Sequence, residues 1–359
     1  MKKYRVGIIG CTGMVGQRFA LILSRHPWFE ITAVAASARS AGRTYAEAVE
    51  GRWKLDEPLP ACCADMTVFD ATADVDKIVS LVDFVFCAVD MKSDDIVELE
   101  NMYALHECPV VSNNKSHRWT PDVPMIIPEL NAEHAQVIPF QRDRLGTRRG
   151  FVAVKPNCSI QGYVPALHAL REFGLRRVAV CTYQAISGAG KTFREWPEMI
   201  DNVIPYIGGE EEKSEMEPLK IWGRIEDRVI VPASAPIITA QCIRVPVTNG
   251  HMAAVFATFD KKVPLDEIIA RWKGYRGRAQ ELGLPSAPKQ FIHYFEEEDR
   301  PQTRLDRDLE GGMAVSLGRL RPDSLFDVKF VGLAHNTLRG AAGGAVETAE
   351  LLCAEGYMD

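Results

Sequence analysis

Residues 4–16, YRVGIIGCTGMVG, contain an apolar run, glycines at positions 10, 13 and 16, and the start of a helical pattern. Tyr4 to Ile9 has the composition of a buried strand, and from Met14 onward apolar residues recur at helical spacing until Pro27. This order is typical of a dinucleotide site, because the glycines permit a tight turn, close approach of the backbone to a pyrophosphate and close packing of the helix on the strand. The stretch therefore predicts a nucleotide-binding domain, with cofactor contacts from Gly10, Thr12, Gly13, Met14, Val15 and Gly16.

The loop after the second predicted strand indicates which dinucleotide binds. That strand runs from Glu30 to Ala36, and NAD-binding folds usually carry an acidic residue near its end to hold the ribose 2′-hydroxyl. Here the place is taken by Ser37, Arg39 and Ser40. Hydroxyl groups and a guanidinium suit a 2′-phosphate, so we expect NADP rather than NAD. The alternative is that Arg39 is an ordinary solvated charge.

The hydrophobic pattern changes at Cys158 and divides the chain into two parts. Before Cys158, short apolar runs alternate with helical patterns, which predicts an α/β fold with a doubly wound parallel sheet; these runs lie at 67–69, 84–88 and 109–111, with a helix over 94–106. After Cys158 the runs are longer and show period-two alternation, which is typical of an antiparallel or mixed sheet; they lie at 177–184, 242–247, 251–259 and 314–317. We therefore expect a Rossmann-type NADP-binding domain over 1–156 and an α+β catalytic domain over 157–335. The C-terminal segment 336–359, with a helix over 341–355, should complete the first domain.

Composition argues against several classes of partner. The 359 residues carry a formal net charge of −6 and no basic patch of the kind that binds nucleic acid. The N-terminal apolar run is too short and glycine-broken for a signal peptide, and no run is long enough to span a bilayer. The nine cysteines are scattered through apolar contexts without ligand spacing, which is typical of reduced cytoplasmic thiols and indicates no metal site. We expect a cytoplasmic protein that acts on a small molecule.

The segment Lys155-Pro156-Asn157-Cys158-Ser159 places a cysteine at the start of a predicted helix that Gly174 ends. Asn157 or Ser159 would cap this helix, and its unpaired N–H groups would favour a thiolate at Cys158. The alternative is a buried, inert cysteine, which is the more common case. Pro165 falls inside the same helical pattern, where it should remove a backbone donor and kink the helix.

Polar residues of the second half supply possible partners for this cysteine. His251 begins a predicted strand and could act as a base, although a structural histidine is an equal alternative. Arg244 alternates with apolar neighbours, so its guanidinium requires an internal carboxylate or a substrate carboxylate. Glu210 and Lys213 lie one helical turn apart, and Ser187-Gly188 follows a strand where it could approach a nicotinamide.

Taken in order, these motifs resemble the aspartate-semialdehyde dehydrogenase family, particularly its archaeal and fungal branch. The matching segments are 10–19, 37–42, 112–118, 127–129, 156–159, 184–190, 210–213, 244–251 and 340–343. The resemblance implies that Cys158 is the nucleophile, His251 the acid and base, and Gln184 the residue that orients the carbonyl. It implies that Arg244 binds the substrate carboxylate, Glu210 its amino group, and Arg118, Asn157 and Lys213 the phosphate, while Asn336 lies near the nicotinamide.

The same resemblance implies the reaction and the assembly. The expected activity is NADPH-dependent reduction of L-aspartyl 4-phosphate to L-aspartate 4-semialdehyde through a cysteine thioester, in lysine, threonine and methionine biosynthesis. The second domain would also form a homodimer, or part of a homotetramer. Two alternatives remain, a malonyl- or succinyl-coenzyme A reductase and a non-catalytic NADP-binding protein. Asn114-Lys115 departs from the smaller residues expected before Arg118, which puts the contacts of that loop in question.

Overall fold

A computed structural model describes residues 3–359, so that the first two residues of the expected N-terminal domain lie outside it. The first sheet has six strands, all paired in parallel, in the order β3-β2-β1-β4-β5-β6. Its strands are β1 (Tyr4–Ile9), β2 (Phe29–Ala36), β3 (Val68–Asp70), β4 (Phe84–Cys87), β5 (Val110–Ser112) and β6 (Val152–Val154). The doubly wound α/β prediction is confirmed.

The helices of this half alternate with the strands. They are α1 (Met14–Leu23), α2 (Tyr45–Val49), α3 (Ala61–Ala64), α4 (Val75–Leu81), α5 (Ser93–Leu105), α6 (Pro128–Asn131) and α7 (Ile138–Leu145). Strand β1 has the predicted bounds and α1 begins at Met14 as predicted, because strand, turn and helix start are each fixed by neighbouring residues, while α1 ends at Leu23, before Pro27. The sequence pattern missed β6, which has three residues.

The second sheet is mixed, and its strands follow the order β10-β7-β11-β14-β13-β12. Four of the predicted runs correspond to β7 (Leu175–Gln184), β10 (Ile237–Arg244), β11 (His251–Phe259) and β13 (Val315–Pro322). The sequence pattern missed β12 (Ile292–Phe295) and β14 (Val328–Ala334), and a separate hairpin joins β8 (Arg224–Glu226) to β9 (Val229–Val231). The remaining helices are α8 (Val164–His168), α9 (Glu210–Ile221), α10 (Leu265–Gly274), α11 (Arg278–Leu282), α12 (Thr303–Asp306) and α13 (Gly343–Ala354).

The helix predicted to begin at Cys158 is broken into three pieces, which corrects the sequence-based expectation. A 3-10 helix spans Ser159–Gly162, α8 follows, and a second 3-10 turn ends at Gly174 in the left-handed conformation. Pro165 lies in the first turn of α8, where the missing N–H has no partner to lose. The predicted kink is therefore wrong, because the helix begins at Val164, one residue before the proline, and does not pass through it.

Helix α13 packs against the first sheet. Its Ala345, Val346 and Leu352 belong to the same buried cluster as Val6 and Ile8 of β1. The domain limits 1–156 with 336–359, and 157–335, remain our proposal. Along residues 3–359, no helix combines the length and the apolar character that crossing a membrane would require.

Candidate active site

Cys158 follows β6, at the edge of the first sheet where its strands carry their carboxyl ends. The Oδ1 of Asn157 accepts the N–H of Ser159 at 2.7 Å, but the N-cap of the 3-10 helix is Cys158, so the predicted cap at Asn157 or Ser159 is wrong. Three side chains of the second sheet converge on this position. Gln184 and Arg244 are register partners at the ends of the parallel strands β7 and β10, and His251 begins β11, which is antiparallel to β7. One end of the second sheet therefore faces the cysteine.

Cys158 and His251 are in direct contact, with 3.4 Å between Sγ and Nε2. The other ring nitrogen, Nδ1, accepts the backbone N–H of Ala185 at 3.0 Å. Because a backbone N–H can only donate, the neutral ring must carry its proton on Nε2. His251 therefore presents an N–H donor to the sulfur and to any oxygen bound beside it.

Burial keeps the Cys158 thiol and the His251 ring neutral. It raises the pKa of the Cys158 thiol to about 11, and the Glu210 carboxylate acts in the same direction against nearby cations. Burial, together with Arg244, lowers the pKa of His251 to about 3. The predicted helix-stabilised thiolate is therefore wrong for the free site, because the helix after Cys158 is a four-residue 3-10 turn whose small dipole does not offset desolvation.

Glu210 is the centre of a polar cluster at the start of α9. Its Oε1 accepts from Lys213 Nζ at 2.6 Å and from Asn157 Nδ2 at 3.0 Å, and its Oε2 accepts from Gln184 Nε2 at 3.2 Å. Burial alone would raise the pKa of Glu210, but the charge and hydrogen bond of Lys213 and the two amides hold it below its ordinary value. A carboxylate held ionised beside the cysteine can bind an ammonium group.

Glu217 connects Arg118 to the same cluster. No sequence pattern had identified Glu217 as a site residue. Glu217 is 0% exposed, and it accepts from Arg118 Nη1 at 2.8 Å and from the backbone N–H of Asn157 at 2.6 Å. The pattern could have identified it, because Glu210, Ser214 and Glu217 follow the i, i+4, i+7 spacing of one buried helix face.

Helix α9 is held against the cysteine segment by a hydrogen bond to a carbonyl that has no partner within the helix. Pro218 lies inside α9 and has no N–H to donate to the carbonyl of Ser214, four residues earlier. That carbonyl instead accepts the hydroxyl of Tyr163 at 2.7 Å. The proline therefore frees an acceptor that fixes α9 against the turn following Cys158.

Arg244 is a buried cation that forms no ion pair with a carboxylate of the described residues. Its side chain is 5% exposed, and its Nη1 donates to the carbonyl of Ala185 at 2.7 Å. Within residues 3–359 no carboxylate oxygen lies within 4.0 Å of its guanidinium, in contrast to Arg118. Burial lowers the pKa of Arg244, and such a group is suited to a bidentate contact with an incoming carboxylate.

The glycine turn has the shape of a dinucleotide site. A Cβ on Gly10 would lie 2.3 Å from the carbonyl oxygen of Ala88, and one on Gly16 would lie 2.2 Å from that of Gly10, so both must be glycine. At Gly13 the nearest atom would be 3.7 Å away, which leaves its backbone open to a pyrophosphate. Gly16 is buried in helix packing, while Met14 and Val15 complete the first turn of α1. Their cofactor contacts stay predictions.

A cavity of about 580 Å³ opens beside this turn, and ligand sites in proteins usually have volumes of about 300–1,000 Å³. Its walls include Gly10, Thr12, Gly13, Ser37 and Arg39. Asp70 also lines it, but its Oδ1 accepts the N–H groups of Thr72 and Ala73 and is used by its own turn. Arg39 is exposed at the rim and free to meet a 2′-phosphate, whereas Ser40 is buried and closes the loop through its N–H to Ser37. The residues present fit NADP.

Asn336 connects the remaining predicted cofactor residues to the histidine. Its Oδ1 accepts the N–H of Gly250 and its Nδ2 donates to Ser187 Oγ, both at 2.8 Å. A Cβ on Gly188 would lie 3.0 Å from His251 Nε2, so this glycine lets the loop lie against the ring. Ser187, Gly188 and Asn336 therefore lie at the reactive centre and not in the cavity beside the glycine turn.

The loop before Arg118 accommodates its unusual residues without strain. Asn114 Nδ2 donates to Glu100 Oε1 at 2.8 Å and to Cys87 Sγ at 3.3 Å, while Lys115 is exposed. Burial raises the pKa of Glu100. Asn114 is therefore an internal anchor of the loop, and the question raised by the sequence is answered. Among the described residues, no group of three or more His, Cys, Asp or Glu side chains is arranged to hold a metal ion.

Comparisons with known proteins place both halves of the chain. Residues 5–138 match the family model "Semialdehyde dehydrogenase, NAD binding domain", and residues 167–339 match "Semialdehyde dehydrogenase, dimerisation domain". Over 350 residues the chain is 42% identical to the aspartate-semialdehyde dehydrogenase of Methanothermobacter thermautotrophicus, covering 97% of this chain and 98% of that protein. The Schizosaccharomyces pombe enzyme of the same name is also 42% identical, over 99% of each chain.

Solved structures agree with these matches. The crystal structure of aspartate-semialdehyde dehydrogenase with NADP from Candida albicans has a TM-score of 0.89 and 38% identity, covering 99% of this chain and 100% of that one. Aspartate-semialdehyde dehydrogenase II from Vibrio cholerae, at 24% identity and a TM-score of 0.74, shares the fold over 98% of this chain and 99% of that one.

Proposed function

The chain belongs to the aspartate-semialdehyde dehydrogenase family, and we propose that Cys158 carries the acyl group during its reaction. The enzyme is an NADP-dependent oxidoreductase of amino-acid biosynthesis that interconverts L-aspartyl 4-phosphate and L-aspartate 4-semialdehyde, with release of phosphate in the reductive direction. The observation that carries the proposal is the 3.4 Å contact between Cys158 Sγ and His251 Nε2, made where Glu210 and the unpaired Arg244 converge.

Substrate binding assigns each charged group a role. Arg244 holds the substrate carboxylate, because it is buried without an internal partner, and Glu210 holds the amino group, because its neighbours keep it ionised. Arg118, Asn157 and Lys213 surround Glu210 and Glu217 and supply the remaining N–H donors to the phosphate. Gln184, whose Nε2 is held by Glu210 and Thr182, fixes the orientation of the reacting carbonyl.

In the acylation step, Cys158 loses its thiol proton to solvent and Sγ bonds to the acyl carbon, while the bond from that carbon to the phosphate oxygen breaks and phosphate departs with the electron pair. The bound cofactor, when present, supplies the hydride that reduces the thioester carbon. His251 donates its Nε2 hydrogen bond to the carbonyl oxygen as negative charge develops there. Breaking the carbon–sulfur bond then releases the aldehyde and restores Cys158.

The test is NADP reduction with aspartate semialdehyde, measured as NADPH absorbance with and without inorganic phosphate. We expect strict dependence on phosphate, and a loss of about 10³-fold or more in Cys158→Ser because the alcohol is a far weaker nucleophile at neutral pH. Phosphate-independent turnover, or substantial activity in Cys158→Ser, would contradict the proposal. The remaining alternative, a coenzyme A-dependent reductase, would be revealed if coenzyme A replaced phosphate in the same assay.

The matched dimerisation domain is consistent with an oligomer, and we propose a homodimer formed through this domain. The support is a set of exposed apolar side chains around α9 and the edge strand β10, namely Ile200, Val203, Tyr206, Met216 and Ile237. Sedimentation equilibrium should give twice the chain mass, and Ile237→Asp should shift the equilibrium to monomer. A monomer at micromolar concentration would refute the dimer, and a fourfold mass would indicate the tetramer. We propose a cytoplasmic location, because all nine cysteines are free thiols.

A further inference from the structure

Lys155 is a buried lysine to which the mechanism above gives no role. Its side chain is 2% exposed, and its Nζ donates to the carbonyl oxygen of Pro156 at 2.8 Å. Within residues 3–359 no carboxylate oxygen lies within 4.0 Å of this nitrogen, so an ammonium here has no direct counter-ion. A lysine is almost never fully buried without a partner, and its presence beside the nucleophile requires a physical reason.

Lys155 and Cys158 pack against the same short stretch of chain, which leads into α13. A Cβ on Gly340 would lie 2.8 Å from the Cβ of Cys158, and one on Gly344 would lie 2.8 Å from the Cε of Lys155. The two glycines therefore make room for the thiol-bearing residue and the amine-bearing residue side by side. The first turn of α13 does not compensate an ammonium, because a helix N-terminus presents N–H donors and the positive end of the dipole.

The charged groups facing Lys155 come from four segments. Arg118 approaches from the loop after β5, Arg339 from the turn before α13, and Glu217 from α9, while Cys158 lies on its own segment. Burial lowers the pKa of Lys155 to about 7, and an ionised Cys158 would raise it again. In turn, a protonated Lys155 lowers the pKa of Cys158. Each group therefore favours the charged form of the other.

We propose that Lys155 is a positioning residue for the nucleophile, which takes up a proton as Cys158 loses one and so stabilises the thiolate. The sulfur loses its proton to solvent and keeps the electron pair of the S–H bond, and the neutral amine of Lys155 binds a proton from solvent, so the two ionisations balance. His251 keeps its Nε2 hydrogen for the substrate oxygen, which agrees with the hydrogen bond that Ala185 donates to its Nδ1. This inference rests on the proposed role of Cys158 as nucleophile.

The first test is the rate of Cys158 alkylation by iodoacetamide between pH 6 and pH 10, followed by mass spectrometry in the absence of substrate. In Lys155→Met the thiol pKa should rise, so that at pH 7 the rate falls about tenfold for each unit of upward shift. An alkylation rate in this variant that is unchanged from that of the wild type between pH 6 and pH 10 would overturn the proposal. This reading does not depend on turnover.

Lys220 provides a matched control, because it is also buried, at 1% exposed, and lies on α9 near Arg118. Its Nζ donates to the carbonyl oxygens of Arg118, Thr120 and Val123, and Cys158 is not among the charges that shift its pKa. Lys220→Met should lower the unfolding temperature while leaving the alkylation rate of Cys158 unchanged between pH 6 and pH 10. If both lysine variants lower this rate equally, the effect is general disruption and the proposal fails.

A second measurement needs no lysine variant. The thiolate absorbance of the wild-type enzyme near 240 nm, after subtraction of the curve for Cys158→Ser, reports the titration of this one thiol. Two coupled groups must give a curve broader than a single ionisation, which spans about two pH units from 10% to 90%. A single-group curve would refute the coupling. If Cys158→Ser instead retained phosphate-dependent activity, the proposed function would fail, whatever this curve showed.

Discussion

Replacing Arg244 by methionine should stabilise the fold and nearly abolish the reaction. The guanidinium is 5% exposed and has one hydrogen bond to the protein, to the carbonyl of Ala185, but no carboxylate partner. An uncompensated buried charge costs several kcal/mol, and losing the hydrogen bond costs about 1.5–3 kcal/mol, while methionine keeps the apolar stem. We therefore expect a net gain of about 1–2 kcal/mol in the free energy of unfolding.

The catalytic effect should have the opposite sign. A bidentate contact with the substrate carboxylate consists of two charge-assisted hydrogen bonds, whose loss costs about 3–4 kcal/mol. For aspartate semialdehyde this corresponds to a decrease of about 10²–10³-fold in kcat/KM. The KM for NADP should change little, because Arg244 does not line the cavity beside the glycine turn.

Arg118→Met is the matched control, since Arg118 is equally buried but paired. Its removal leaves the carboxylate of Glu217, which is 0% exposed, without its ion pair, and this should cost about 3–5 kcal/mol. Thermal unfolding should therefore move up by about 2–8 °C for Arg244→Met and down by a larger amount for Arg118→Met. If Arg244→Met unfolds at a lower temperature than the wild type, or keeps kcat/KM within threefold, the argument for an unpaired substrate-binding cation is refuted.

Three further predictions use single substitutions. Burial would raise the pKa of Glu210, but Lys213 and the neighbouring amides hold it below its ordinary value. The ionised form therefore stabilises the fold above about pH 4.3, and this contribution is lost as the pH falls through the lowered pKa. The difference in unfolding free energy between wild type and Glu210→Gln should be present at pH 7 and shrink toward pH 3. Gly340→Ala places a Cβ 2.8 Å from that of Cys158 and should lower kcat about 100-fold, whereas Gly274→Ala, which meets open space, should not; equal rates would contradict this packing. Arg39→Ala should raise the KM for NADPH about tenfold and leave that for NADH unchanged, and a parallel rise for both would exclude a contact with the 2′-phosphate.

The sequence predicted what short-range patterns determine. Strand β1, the glycine turn and the start of α1 lie where they were predicted, because all three are fixed within about 20 residues. The cysteine segment was predicted less well, since Pro165 is compatible both with a kinked helix and with a new one, and only packing decides between them. The ionisation of Cys158 was wrong for the same reason, because burial depends on every element around the thiol whereas the helix pattern describes one.

No local sequence pattern could identify the ion-pair partners of the buried charges. Arg118 pairs with Glu217 across 99 positions, and Arg339 pairs with Glu129 across 210 and with Glu347 on α13. The sequence does not distinguish an arginine that has an internal carboxylate, such as Arg118 or Arg339, from one that lacks it, such as Arg244. The structure separates them, because Arg118 and Arg339 already have carboxylates and hold elements together, while Arg244 has none.

The paired and unpaired cations around Cys158 together determine the net charge of the substrate that the site can bind. Lys213 is neutralised by Glu210 and Arg118 by Glu217, so these pairs offer hydrogen-bond donors without net charge. The cations left without a direct counter-ion are Arg244 and, when protonated, Lys155. An aspartyl phosphate with an ionised carboxylate, an ammonium group and a phosphate of nearly two negative charges brings a net charge close to −2. The negative charge of the substrate therefore provides the counter-charge that Arg244 and Lys155 lack in the free protein. Substrate binding should favour protonation of Lys155 in the step in which Cys158 loses its proton.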